Sequence, residues 1–141
     1  MGSIRKDPNT VSVRFAFCFA DTYEIGMSHL GMKILYGLTN AQPNYACERV
    51  FCPDTDMEQL MLEHQIPLYT LESLEPVADF DLIGFTLQYE MAYTNILNML
   101  HLAGIPLLAA DRGNALTPLV FAGGPCVCNP EPIADFFDFF I

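Results

Sequence analysis

Basic residues are scarce in this chain. Six Lys and Arg stand against seventeen Asp and Glu, a formal net charge of −11, and no basic cluster exceeds Arg5-Lys6. Phosphate contacts need Lys and Arg, so nucleic-acid binding by this segment is disfavoured, and so is an anionic membrane surface. Long apolar runs are missing too. None approaches the ~18 residues of a membrane span, and the opening MGSIRKDPNT lacks the apolar stretch of a signal peptide. The cytoplasm is therefore the expected compartment. Cysteines are odd in number: Cys18, Cys47, Cys52, Cys126 and Cys128. Without a secretion signal they read as reduced thiols rather than a disulfide framework. His29, His64 and His101 have no metal-ligand spacing, and His29 reads as a helix-start residue. Cys126-x-Cys128 lacks the four ligands of a zinc site, so no metal site is expected. There is no repeat or low-complexity tract.

What the chain does have is apolar mass. Hydrophobic residues make up 52% of its 141 residues and charged residues only 16%. That suffices for one domain with a real core and suggests surfaces that bury against something further. Residues 1–10 read as an extension and 11–141 as the domain. Val11, Val13, Phe15, Phe17 and Phe19 alternate as in a strand. A helix is predicted near Ser28 to Asn40, with Met27, Leu30, Ile34, Leu35 and Leu38 on its buried face and Asn40 ending it. CERVFCP reads as a second strand. Thr55-x-x-Glu58 then has the form of a capping box before a stripe of Met57, Leu60 and Met61.

DFDLIGFTL is the clearest buried strand. EMAYTNILNMLHLAG follows as a helix with Tyr93, Ile96, Leu97 and Leu100 inward and Gly104 as its cap. A linker through Asp111-Arg112-Gly113-Asn114 leads to the strand PLVFAGG. Asn129-Pro130 has helix-start chemistry, and DFFDFFI reads as a helix end running into a strand. Strands alternating with helices predict α/β architecture: a doubly wound parallel sheet of about five strands, covered on both faces. Ligands of such sheets sit beyond the carboxyl ends of the strands, near the reversal of strand order.

Three loops at those ends stand out: Asp21-Thr22-Tyr23-Glu24-Ile25-Gly26, Thr86 to Glu90, and Gly123-Gly124-Pro125. Asp21-x-Tyr23-x-x-Gly26 has the spacing of the Asp-x-His-x-x-Gly loop of cobalamin-binding domains, with Tyr in place of His. Thr86 stands where that family has a hydroxyl facing the nucleotide tail, and Gly123-Gly124 matches its Gly-Gly. The stretches VRFAFCFADTYEIGMSHLGMKILYGL, ERVFCPDTDMEQL, DFDLIGFTLQYEMAYTNILNML and AGGPCVCNPEPIADFFD resemble, more closely, the N-terminal region of a family of radical S-adenosylmethionine (SAM) proteins.

The resemblance implies a Rossmann-like, flavodoxin-like or cobalamin-binding-like domain. It would act as a non-catalytic accessory to a downstream radical SAM domain, which would carry the 4Fe-4S cluster and S-adenosylmethionine. The candidate cofactor-binding residues are Asp21, Tyr23, Gly26, Thr86, Gly123 and Gly124. A phenol with an ordinary pKa near ~10 is a poor cobalt ligand, so any cobalamin would bind without a protein lower ligand. The plainer reading is that Asp21 caps a turn, Gly26 relieves a tight backbone and Tyr23 packs. A rival function is a scaffold that positions substrate or stabilises the catalytic barrel. A flavin site is disfavoured, because no Ser/Thr-rich phosphate turn follows the first strand. The crowded Phe136, Phe137, Phe139, Phe140 and Ile141 imply a domain truncated at its C-terminus, prone to self-association through that end.

Overall fold

The computed structural model describes residues 2–113 and 117–141; Asn114, in the expected linker, lies outside them. Five strands form one all-parallel sheet: β1 (Val13–Phe19), β2 (Tyr45–Phe51), β3 (Leu82–Thr86), β4 (Leu119–Gly123) and β5 (Phe139–Phe140), in the order β2-β1-β3-β4-β5. The helices are α1 (Tyr23–Ser28), α2 (Leu30–Ala41), α3 (Thr55–His64) and α4 (Tyr93–Leu102). This is the α/β class expected from the alternation, with helices flanking the sheet and the strand order of a flavodoxin-like fold. Its switch point falls between β1 and β3.

The strands form where aromatic and β-branched residues concentrate, and the two-residue period sends neighbours to opposite faces. Ala16, Cys18, Ile83, Phe85, Val120 and Ala122 face one way and are buried with Met61 of α3, Ile96, Met99 and Leu100 of α4, and Ile133. On the other face Phe17, Phe19 and Cys47 make a smaller core with Met32 and Tyr36 of α2. Beyond β1 and β2 no helix among the described residues covers that second face. Leu119 and Phe139 are exposed, and Phe15, Phe121 and Phe139 stack in a row with ring centroids 5.6 and 5.1 Å apart.

The edge strand β2 carries Glu48 and Arg49, both buried, and a strap over residues 66–76 satisfies them. Glu48 Oε2 accepts from Thr70 Oγ1 at 2.5 Å and Ser73 Oγ at 2.6 Å, and Arg49 Nε meets Glu72 Oε1 at 2.7 Å. Buried charge is tolerated because Arg49 is paired with Glu72, while Glu48 is held by hydrogen bonds alone, Ser73 N adding a third at 3.1 Å. Leu71 N donates to Arg49 O at 2.8 Å, so the strap also covers part of the sheet edge.

Several sequence expectations need correction. The predicted stripe of α2 does not face its core. Met32, Tyr36 and Asn40 do, at i, i+4 and i+8, whereas Leu30, Ile34, Leu35 and Leu38 are exposed, Leu38 by 61%. Asn40 does not end the helix but clamps β2, pairing with Cys47 N at 3.0 Å and Cys47 O at 2.9 Å. Thr55 is the first residue of α3 rather than its cap; Asp54 holds the cap position without a side-chain bond, and only Met61 of the expected stripe is buried. Asn129 starts no helix; it closes the turn before it, its N–H donating to Cys126 O at 3.1 Å. Pro125–Cys128 and Glu131–Phe136 are 3-10 turns, the second entered from Pro130. Gly104, at φ +69°, does follow α4 as expected. At the C-terminal end Phe137 is buried, Phe136 and Phe140 are half-buried, and Phe139 and Ile141 stand exposed.

Candidate functional site

The carboxyl ends of β1, β3 and β4 converge at the switch point, but their loops are laced to one another. Asp21, two residues past β1, accepts from Thr22 N at 2.8 Å with one carboxylate oxygen and from the Tyr89 hydroxyl with the other. Tyr89 follows β3, so this bond spans the crevice. It also raises the Tyr89 pKa, the hydrogen bond to Asp21 being the main cause. Asn95 of α4 donates to Ala20 O at 3.0 Å. Leu87 N donates to Gly123 O at 2.7 Å, and Cys126 N to Leu87 O at 3.2 Å. The polar groups above the switch point are thus largely engaged by the chain itself.

Open space lies to the side. A cleft of about 550 Å³ runs between α2 and the bare side of the sheet. Its walls include His29, Met32 and Leu35 from the helix side, Phe17 and Gly84 below, and Thr86, Gly123 and Gly124 at the strand ends. A side chain on Gly84 would run into Phe121 and Phe15 at 2.5–2.7 Å, so the floor must stay bare. Gly124, at φ +114°, holds a conformation that favours glycine, and a Cβ there would meet Leu87 O at 2.8 Å.

Three of the six candidate residues, Thr86, Gly123 and Gly124, therefore share this cleft. The other three sit elsewhere. Tyr23 packs edge-on against Phe51, centroids 5.4 Å apart, and lines a separate groove of about 390 Å³ beside β2 with Glu24, Asp54 and Met57. Gly26 has ordinary backbone dihedrals and is buried because a Cβ would strike Phe51 at 2.3 Å; it serves close packing of α1, not a tight turn. Asp21 is held by Thr22 and Tyr89, as above.

His29 lines the cleft, though sequence reasoning made it only a helix start. It is that: its Nδ1 accepts from Met32 N at 3.1 Å as the cap of α2. In the neutral ring the proton then sits on Nε2, which makes that nitrogen a donor rather than a metal-binding lone pair. Leu35, expected on the buried face of its helix, lines the cleft instead, and Gly84, within the DFDLIGFTL strand, forms part of its floor. A glycine inside a strand pattern was the available signal for Gly84.

The thiols are mostly unreactive. Burial raises the Cys18 and Cys47 pKa values well above the ordinary range, and pushes Cys52 up to about 11. Among the described residues no three His, Cys, Asp or Glu converge to hold a metal ion. Nor is any helix among them long and apolar enough to cross a membrane.

Fold and cleft together define a flavodoxin-like α/β domain with a lateral apolar cleft at its switch point. The family described as radical SAM proteins, N-terminal, matches residues 31–141, which is most of the chain, and the chain belongs to that family. It is also 40% identical over 77 residues to the uncharacterized protein MJ0966 of Methanocaldococcus jannaschii. That alignment takes in 54% of this chain and 16% of the relative, so the chain spans a small part of the protein it matches.

Proposed function

We propose that this chain is a non-catalytic accessory domain of a larger radical SAM protein, and that its cleft receives the flat heterocyclic end of a cobalamin-type cofactor with no protein ligand to cobalt. The observation that carries this is the convergence of Thr86, from β3, with Gly123 and Gly124, from β4, on one mostly apolar cleft whose floor is the bare Gly84. Planar ligands favour such slots, where glycine lets the ring approach the backbone and one or two polar groups fix its orientation. Thr86 Oγ1 accepts from Gln88 Nε2, which leaves the hydroxyl proton for a ligand acceptor.

The residues fit only part of the cofactor. Nothing among them offers cobalt a lower ligand: Tyr23 faces the other groove, the Asp21 oxygens are engaged, and the free nitrogen of His29 carries a proton. A cobalamin here would supply alkyl or electron chemistry at its cobalt. The domain's own residues would bind and orient it and shield one side from water. The catalytic iron–sulfur and S-adenosylmethionine chemistry would belong to the rest of the parent protein.

Incubation with hydroxocobalamin, desalting and an optical spectrum test this. The chain is expected to retain the corrin absorbance, and Leu35→Trp, which narrows the cleft at an exposed position, to lose it. Equal retention by both would move the ligand out of this cleft. Tyr23→His should leave the spectrum unchanged, because that side chain opens onto the groove beside β2. The scaffold reading is favoured by one specific feature, the uncovered apolar side of the sheet.

A further inference from the structure

We infer that the bare face of β3, β4 and β5, with the outer stripe of α2, is a docking surface for a segment of the parent polypeptide that lies C-terminal to Ile141. The inference rests on reading the chain as the N-terminal part of a longer protein, and it is independent of whether cobalamin binds. Three observations carry it.

The crossovers cannot cover this face. Helices α3 and α4 and the Glu131–Phe136 turns all bury on the opposite side with Ile83 and Val120. Parallel crossovers keep one hand, so strands added in one direction put their connections on one side. Among the described residues only the β1-to-β2 connection runs on the other side, where α2 packs with Phe17, Phe19 and Cys47.

Next, the face is built for contact. Phe15, Phe121 and Phe139 form a continuous stacked row, and Leu82 sits with Phe15 and Phe121 in a shallow hollow of about 440 Å³. Leu38 lines that hollow from α2, and Leu35 lines the neighbouring cleft. Leu35 and Leu38 of α2 therefore border the bare strands instead of their own helix core. A contiguous apolar surface of this kind marks an interaction site.

Last, the occupant. The backbone of Ile141 continues past β5, its N–H bonding Ala122 O at 2.9 Å. Its side chain lies on Gly123, 3.1 Å from where a Cβ would stand, which is the open side of β4. The path beyond that residue thus begins at the rim of the surface. The family is N-terminal by description, and the aligned region is 16% of the matched relative. A second copy is the weaker occupant, because two chains of net charge −11 repel one another. The segment that fits would be amphipathic, apolar towards the Phe row, and it would also form the missing wall of the cleft.

Site-resolved maleimide labelling, without cobalamin, tests the inference. Leu119→Cys and Leu38→Cys, both exposed, report on the face; Glu63→Cys, on α3, is the reference. Each is placed in the 141-residue chain and in the full-length parent protein, and labelling is read by peptide mass mapping. The two face positions should react about tenfold more slowly or less in the parent, with Glu63→Cys unchanged. Equal rates in the two proteins would overturn the proposal. So would protection in the 141-residue chain that grows with its concentration, since that would seat a second copy on the face. Failure of the cobalamin test leaves this readout untouched.

Discussion

Leu82 and Ile83 are neighbours in β3, and so are Leu119 and Val120 in β4, yet each pair is split between two different environments. Ile83 and Val120 lie at 0% exposure beneath α3, α4 and the turns before β5, while Leu119 stands 50% exposed on the other side. Both faces are apolar. What separates them is the presence of a covering layer, and that depends on which crossovers the topology allows. An apolar residue in a parallel strand therefore signals that something covers it, without naming whether the cover comes from the same domain.

The strongest way to break this comparison is to truncate one residue on each face. Ile83→Ala should cost about 2–5 kcal/mol, the range for a large-to-small change in a closed core. Leu119→Ala should cost about 0.5 kcal/mol or less in the isolated chain, as an exposed substitution does. Urea unfolding of both variants measures this; similar losses would mean that the second face is already packed. In the full-length protein, docking on that face would enlarge the Leu119 effect.

A smaller effect sharpens the contrast at the strand ends. Gly124→Ala forces a Cβ against the Leu87 backbone at a positive φ, and should cost about 1–3 kcal/mol. Gly123→Ala meets the exposed Ile141 side chain at 3.1 Å, which can move, and the Ile141 carbonyl oxygen at an ordinary contact distance of 3.4 Å, and should change the melting temperature little. Thermal melts of the two alanine variants decide whether the open side yields as described.

The last effect concerns pH and the cores beneath each face. Burial raises Cys18 and Cys47 well above the ordinary thiol range and pushes Tyr36 up to about 12. A group whose folded pKa lies above its unfolded value stabilises the fold fully below the unfolded value, and that contribution is lost as pH rises towards the folded one. Stability should therefore hold level from pH 7 to about 8 and fall above about 9, where the unfolded thiols ionise, by about 1.4 kcal/mol per pH unit for each fully buried thiol. Urea midpoints from pH 7 to 10.5 test this. Cys18→Ala should flatten the alkaline fall, and a rise in stability above pH 9 would contradict the burial.

Much of the fold was legible in the residues. The alternation of Val13 to Phe19, the short apolar run at Leu82 to Thr86, and the helical spacing from Tyr93 to Leu102 each declared an element, because local periodicity and propensity decide element type. Their order predicted a parallel α/β sheet, since only crossover connections join parallel strands. The radical SAM family was legible in the long motifs around Leu82 and Gly123, and the match over residues 31–141, which begins after the Asp21 loop, bears that family out.

Tertiary structure decided the rest. Leu30, Ile34, Leu35 and Leu38 form a good apolar stripe by spacing, but the sheet meets Met32, Tyr36 and Asn40 instead. The rotation of a helix about its axis is set by what it packs on, which no local pattern contains. Likewise Asp21, Tyr23 and Gly26 lie within six residues of one another, yet they end in a hydrogen bond across the crevice, a ring contact beside β2 and a packing niche under Phe51. Thr86 and Gly124, far apart in sequence, share one cleft because β3 and β4 pair in register. By itself, then, the sequence determined the elements, their alternation and the kinship. Which side of each element is covered, and which loops meet, came only from packing, because burial is a property of the neighbours a residue finds and not of the residue alone.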